Sequence, residues 1–199
     1  MADLFGYSLI PGLEVRDPFI SADEERELIT RIGEVELTPF QFHGFEGKRL
    51  TRSFGWRYSF QDQSFTEAEP IPDWLIPLRD RAAGFAELPA EAFGHALLIR
   101  YDPGAGIGWH KDRPVFEDVV GVSLGAPVEL ACRQRIGKGF RRIKLPLEPR
   151  SAYLLRGEVR HGWEHGIASH PERRWSITFR SLSEKGNRKL ASPLILRRD

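Results

Sequence analysis

Apolar and polar positions along the chain follow two periods, and the change between them divides the sequence. Before about residue 94 the clearest periods are helical. Ser21 and Glu24 form a capping-box pattern, acidic residues fill the turn that follows, and Leu28, Ile29 and Ile32 lay an apolar stripe. This predicts a helix from Ser21 to Ile32. Trp74, Leu75, Leu78 and Ala82 recur at helical spacing and predict a second helix over Asp73–Phe85, where Pro77 is tolerable because it lies in the first turn. Residues 1–20 read as a short strand pair or arm turning at Pro11-Gly12. From His95 onward the period is two. Short strands near 95–101, 107–112, 119–124, 127–133, 140–145, 151–155, 161–167 and 174–181, separated by Gly and Pro turns, suggest a double-sheet jelly roll with helices packed outside one sheet.

Between the two helices, Phe54, Trp56, Tyr58 and Phe60 share one parity, the pattern of a strand with an aromatic face in the core. Lys48, Arg49 and Arg52 beside such rings would also suit a nucleic-acid platform, where rings stack on bases and cations meet phosphates. A second basic stretch, CRQRIGKGFRRIK, sets Arg133, Arg135, Lys138, Arg141, Arg142 and Lys144 around a Gly-Lys-Gly turn and reads either as a solvated hairpin or as a second such surface. The tail from Ser183 to Asp199 contains EKGNRK and is expected to be loosely ordered.

Composition changes this picture little. With 199 residues, 41% hydrophobic and 29% charged, the chain suits one soluble globular domain. A formal net charge of +1 exerts no global pull on nucleic acid, so any such binding must come from a local patch. Cys132 is the only cysteine, which excludes an internal disulfide and fits the cytoplasm. No stretch reaches the length of a membrane span and the first residues do not read as a secretion signal, so no membrane partner is expected.

The candidate chemistry lies in LLIRYDPGAGIGWHKD, Leu97 to Asp112. His110 and Asp112 are two apart, so in a strand their side chains point to one face. GEVRHGWEHGI then offers His161 or His165 as a third ligand; two histidines and a carboxylate with open positions suit non-heme Fe(II). In RRWSITFRSL, Trp175, Ile177 and Phe179 alternate with Arg174, Ser176, Thr178 and Arg180. Two guanidinium groups and two hydroxyls on one side of a strand could hold a small dicarboxylate; an edge strand with its arginines in water is the plainer reading.

Together RYDPGAGIGWHKD, VVGVSLG, LPLEPRSAYLLRGEVRHGWEHGI and RRWSITFR resemble the AlkB family of Fe(II)- and 2-oxoglutarate-dependent dioxygenases, over about Arg49 to Leu182. The resemblance implies a mainly β fold with flanking helices (α+β), in which a double-stranded β-helix (jelly-roll) core carries an N-terminal helical and hairpin lid extension. It implies one domain over 1–182, with the extension and lid at 1–94 and the core at 95–182, followed by the tail at 183–199. His110, Asp112 and His165 would bind the iron, with His161 a neighbour that packs or meets substrate. Tyr101, Arg174 and Ser176 would hold the far carboxylate of 2-oxoglutarate, and Arg180 the end that chelates iron. Arg49, Arg52, Trp56, Tyr58 and Arg160 are the candidate substrate contacts. Ile99 stands where many members carry an Asn that touches the cosubstrate, and Pro114 where the family's namesake has a second acid. His43, His95 and His170 have no partner pattern and read as structural or exposed.

The activity so implied uses Fe(II), 2-oxoglutarate and molecular oxygen to demethylate or hydroxylate alkylated or modified bases in DNA or RNA. The expected partner is single-stranded DNA or RNA, tRNA included, met by a cytoplasmic monomer. HKDRPVFEDVVGVSLG looks closer to the tRNA-hydroxylating branch than to the repair enzyme. Pro114 and the balanced charge keep a protein or small-molecule substrate open, and a catalytically silent metal-binding module is the reading from another class.

Overall fold

The computed structural model describes residues 10–42, 45–59 and 64–191. Strand β1 (Leu13–Arg16) precedes helix α1 (Ala22–Glu34), which starts where the capping box places it: Ser21 Oγ accepts from the Glu24 amide, and the Glu24 carboxylate accepts from the Ser21 amide. Strands β2 (Thr38–Phe42) and β3 (Phe45–Phe54) follow, then a small hairpin of β4 (Trp56–Tyr58) and β5 (Phe65–Glu67). One 3₁₀ turn over Asp73–Leu75 runs into helix α2 (Ile76–Phe85). The remainder is β6 (His95–Tyr101), β7 (Ile107–His110), β8 (Phe116–Gly125), β9 (Val128–Ile136), β10 (Gly139–Leu147), β11 (Ala152–Leu155), α3 (Gly157–Gly162), β12 (Glu164–Ile167), β13 (Arg174–Leu182) and α4 (Glu184–Ala191).

The strands form two main sheets, ordered β1-β11-β8-β13-β6-β3-β2 and β10-β9-β12-β7, and the pairings within them are antiparallel. Alternation gives the larger sheet two different faces. Leu98, Val122, Ile177 and Phe179 point to one side and pack with Leu28 and Ile32 of α1 and Leu78 and Ala82 of α2; none of the four has any exposed surface, so each stabilises by roughly 1.5–3 kcal/mol. The opposite face looks into the interior between the sheets, where Val119, Tyr153 and Leu155 meet Leu130, Cys132 and Leu147. The jelly roll with helices outside one sheet is the observed architecture. Among the described residues no helix is long and apolar enough to cross a membrane.

Three local expectations change. Of the arm expected at 1–20, the described residues include strand β1, which pairs with β11; residues 1–9, where a strand preceding the Pro11-Gly12 turn would fall, lie outside the described residues. The aromatic run is not one strand, because Gly55 takes φ +75 and separates β3 from β4; Phe54 is buried, Trp56 and Tyr58 are half-buried, and Phe60, like His43, lies outside the described residues. Residues 157–162 form a short helix where a strand was expected from 161, with Gly162 tolerated as its last residue. The tail begins as helix α4, not as loosely ordered chain; residues 192–199 lie outside the described residues.

Candidate active site

The polar face of β13 turns inward. β13 sits between β8 and β6 in the middle of the larger sheet, so its arginines cannot face water as those of an edge strand would. Arg174, Ser176 and Thr178 are buried, at 1%, 4% and 3% exposure. The register sets Arg174 beside Tyr101, Ser176 beside Ile99 and Ser123, and Arg180 beside His95.

Three candidate ligands meet at the open end of this face. β12 pairs with β7 so that His165 stands directly beside His110, with ring centroids 4.3 Å apart. Gly166 permits the close approach, since a β-carbon there would lie 2.9 Å from the Ile107 carbonyl oxygen. Asp112, in the loop after β7, brings Oδ2 to 3.6 Å from His165 Nε2. His110 Nδ1 lies 2.9 Å from the Gly108 carbonyl oxygen and donates to it, which leaves Nε2 its lone pair.

Burial holds both imidazoles neutral, only partly opposed by the Asp112 charge; the His165 pKa falls to about 4 and that of His110 is lowered. Burial works against ionised Asp112, but neighbouring positive charge, that of Arg180 foremost, outweighs it and holds the carboxyl well below the usual carboxylate range. Arg180 Nε donates to Asp112 Oδ1 at 2.8 Å. Among the described residues no group of three or more His, Cys, Asp or Glu side chains stands placed to hold a metal ion. The chemistry of the trio nevertheless fits a divalent ion, because Asp112 Oδ2 is buried without a hydrogen-bond partner, 3.6 Å from the neutral His165 Nε2, with the His110 ring beside that of His165. One carboxylate and two imidazoles are the donors Fe(II) takes.

A second orphan lies deeper. Arg174 stacks its guanidinium on Tyr101 at 4.8 Å and donates from Nη2 to Ser123 Oγ, while Nε and Nη1 are buried without partners. An unpaired buried cation costs several kcal/mol, so the cradle fits a carboxylate that would offset it. Arg180, at the other end, contacts Asp112 and reaches His95 Nδ1 at 3.5 Å. His95 is therefore no remote structural residue: it is buried at the site with its ring 4.6 Å from that of Phe116.

The proposed substrate contacts scatter. Arg49 is half-buried over the Phe40 ring at 3.8 Å, its Nε lacks a partner, and Tyr101, Arg180 and His110 feel its charge. Arg52 belongs to the other face of β3 and pairs with Glu69 at 2.8 Å, away from the site. Arg160 is 4% exposed and donates to the carbonyls of Arg113, Phe116 and Glu117, so it clamps the chain leaving Asp112 and spends these donors on backbone instead of substrate. Trp56 stacks on Phe65, Phe65 meets Phe116 edge-on, and Tyr58 lies beneath the Arg113 guanidinium, which places the β4–β5 hairpin against the mouth. His161 is exposed and contacts Glu117 at 2.7 Å, whereas His170 contacts the Glu172 backbone in a loop.

This arrangement has known relatives. The sequence profile of the 2OG-Fe(II) oxygenase superfamily matches residues 19–180. The chain belongs to that superfamily. The oxygenase is 28% identical over 169 residues to "tRNA (carboxymethyluridine(34)-5-O)-methyltransferase ALKBH8" of Macaca fascicularis, covering 80% of this chain and 24% of that one. It is 24% identical over 192 residues to "Uncharacterized protein L905" of Acanthamoeba polyphaga mimivirus, covering 86% and 85%. Its fold matches the structure of OsALKBH1 at TM-score 0.70 and 18% identity, covering 88% of this chain and 99% of the other. The oxygenase thus spans about a quarter of the length of the ALKBH8 relative. It is an AlkB-like oxidoreductase, and its family's reagents are Fe(II), 2-oxoglutarate and oxygen.

Proposed function

We propose that this oxygenase demethylates or hydroxylates modified bases in single-stranded DNA or RNA, tRNA included. His110, Asp112 and His165 hold Fe(II), Tyr101, Arg174 and Ser176 hold the far carboxylate of 2-oxoglutarate, and Arg180 serves the iron end. When bound, Fe(II) and 2-oxoglutarate would let molecular oxygen deliver one atom to a substrate C–H bond and the other to the oxo acid, which would leave as succinate and carbon dioxide. The protein's own part is placement: Arg180 steers one carboxylate oxygen away from the ion, Arg174 anchors the oxo acid, and Phe65 and Phe116 shield the mouth from water.

One observation carries the nucleic-acid reading. Trp109, next to His110, is 40% exposed, and the Arg133 guanidinium lies 4.5 Å from both its ring and that of Phe140. Arg135 and Arg142, both exposed, stand 5.6 and 5.5 Å from the same Phe140 ring. These rings and cations share the outward face of the smaller sheet, because Trp109 alternates with His110 and Arg133 with Cys132; Arg133 is paired with Glu164 at 2.6 Å, and the exposed arginines beside the rings offer charge to phosphates and stacking to bases. The names of the ALKBH8 relatives point to tRNA, although their methyltransferase activity is not carried over from a match covering a quarter of their length.

The test loads the protein with Fe(II) and 2-oxoglutarate without oxygen, adds methylated single-stranded oligonucleotides or tRNA, admits air and weighs the products, with His110→Ala as control. A methylene's mass lost or an oxygen's mass gained, only in the wild type, is the expected result. Succinate formed with every oligonucleotide unchanged would move the substrate to a protein or small molecule.

A further inference from the structure

Tyr153 is buried on the inner face of the larger sheet, the face that carries Arg174, Ser176 and Arg180. On β11 it pairs with Gly121 of β8, which pairs with Thr178 of β13, which pairs with Leu97 of β6. That rung lies between the Ser123–Ser176–Ile99 rung and the Val119–Arg180–His95 rung. The ring reaches inward because Gly121 has no side chain: a β-carbon there would overlap the ring and lie 2.5 Å from the hydroxyl oxygen. The phenol therefore rests on the bare backbone of β8, between the Arg174 and Arg180 ends of the face.

Its chemistry suits a donor. Burial pushes the phenol well above its ordinary range, so it keeps its proton, and the groups that bear on it are Tyr101, Asp112, Arg180 and Arg174, the walls of the candidate site. The hydrogen bonds of the described residues include none to the Tyr153 hydroxyl. Across the same interior, Ile99 presents an apolar side chain where a donor would be useful.

We propose that Tyr153 binds the cosubstrate directly: its hydroxyl donates a hydrogen bond to the 2-oxoglutarate lying between Arg174 and Arg180, a bond that Ile99 does not supply. Gly121 is the partner that makes room for it. This rests on the seat proposed above for 2-oxoglutarate.

The test is calorimetric titration of 2-oxoglutarate into Mn(II)-loaded wild type, Tyr153→Phe and Arg174→Met without oxygen, with melting of each protein lacking cosubstrate. Tyr153→Phe should raise the Kd about tenfold, the effect of losing a hydrogen bond to a charged group, and leave melting unchanged. Adding Ile99→Asn to Tyr153→Phe should regain part of that affinity, which a packing role would not allow. An unchanged Kd in Tyr153→Phe, with Arg174→Met weakened, overturns the proposal and leaves the seat standing. Unchanged Kd in both variants removes the seat and the proposal together. A lower melting temperature in Tyr153→Phe with no regain on adding Ile99→Asn reduces the ring to packing and likewise overturns it.

Discussion

Arg180 and Asp112 form a buried pair, Nε to Oδ1 at 2.8 Å, that decides which carboxylate oxygen faces His165. With Oδ1 engaged, Oδ2 is the one left beside His165. Arg180→Met should therefore weaken Mn(II) binding roughly 10- to 100-fold, as loss of a ligand-orienting partner does, without removing a ligand. Competition against a metallochromic chelator measures it, and an unchanged affinity would detach Arg180 from the metal site.

Arg160 is predicted to matter for stability and not for substrate. Arg160→Met strands the carbonyls of Arg113, Phe116 and Glu117 and should cost about 3 kcal/mol in urea unfolding. A variant of wild-type stability that loses only oligonucleotide binding would restore it as a substrate contact.

The pH dependence of helix α1 follows from Glu24. The Arg81 side chain, 2.6 Å away, and the Ser21 amide lower its pKa to about 2, against about 4.3 in an unfolded chain. A lowered carboxylate pKa gives stability that is full above the unfolded value and is lost as pH falls from there toward 2. The pair is some two-fifths exposed, so solvent screening limits it to about 0.5–1 kcal/mol. Glu24→Gln should be less stable than wild type by that amount at pH 7, and the difference should shrink steadily below about pH 4.3 in urea titrations. A difference that persists unchanged toward pH 2 would show that charge is not its source.

The basic face should reveal itself through salt. Arg135→Ala with Arg142→Ala should weaken single-stranded oligonucleotide binding and flatten its log–log salt dependence by about one to two units, because two cations no longer neutralise phosphates. Fluorescence anisotropy at several salt concentrations reads this, and an unaltered slope would place the strand elsewhere.

What could be read from the sequence was what alternation encodes. Arg174 with Ser176 and Arg180 share a face because a strand has period two, and the capping box at Ser21 is local chemistry; His110 ends β7 and Asp112 lies in the loop beyond it, so their convergence owes nothing to strand period beyond His110. Alternation alone does not say which sheet position a strand takes; only the central place of β13 turns its arginines from solvent to the interior. Arg49 and Arg52 differ in parity, so once β3 is known to be continuous there they must face opposite ways. Arg160 acts on carbonyls 43 to 47 residues away, and Tyr153 depends on pairing with Gly121. Such relationships leave no periodic trace.

The central claim is that His110, Asp112 and His165 make one Fe(II) site served by 2-oxoglutarate. Succinate formation by wild type and Asp112→Ala, measured beside equilibrium Fe(II) binding under exclusion of air, tests it most directly. The account predicts one ion per wild-type chain and succinate on admission of air, with both lost in Asp112→Ala while the fold persists. An Asp112→Ala protein that still binds Fe(II) and yields succinate at the wild-type rate would contradict it.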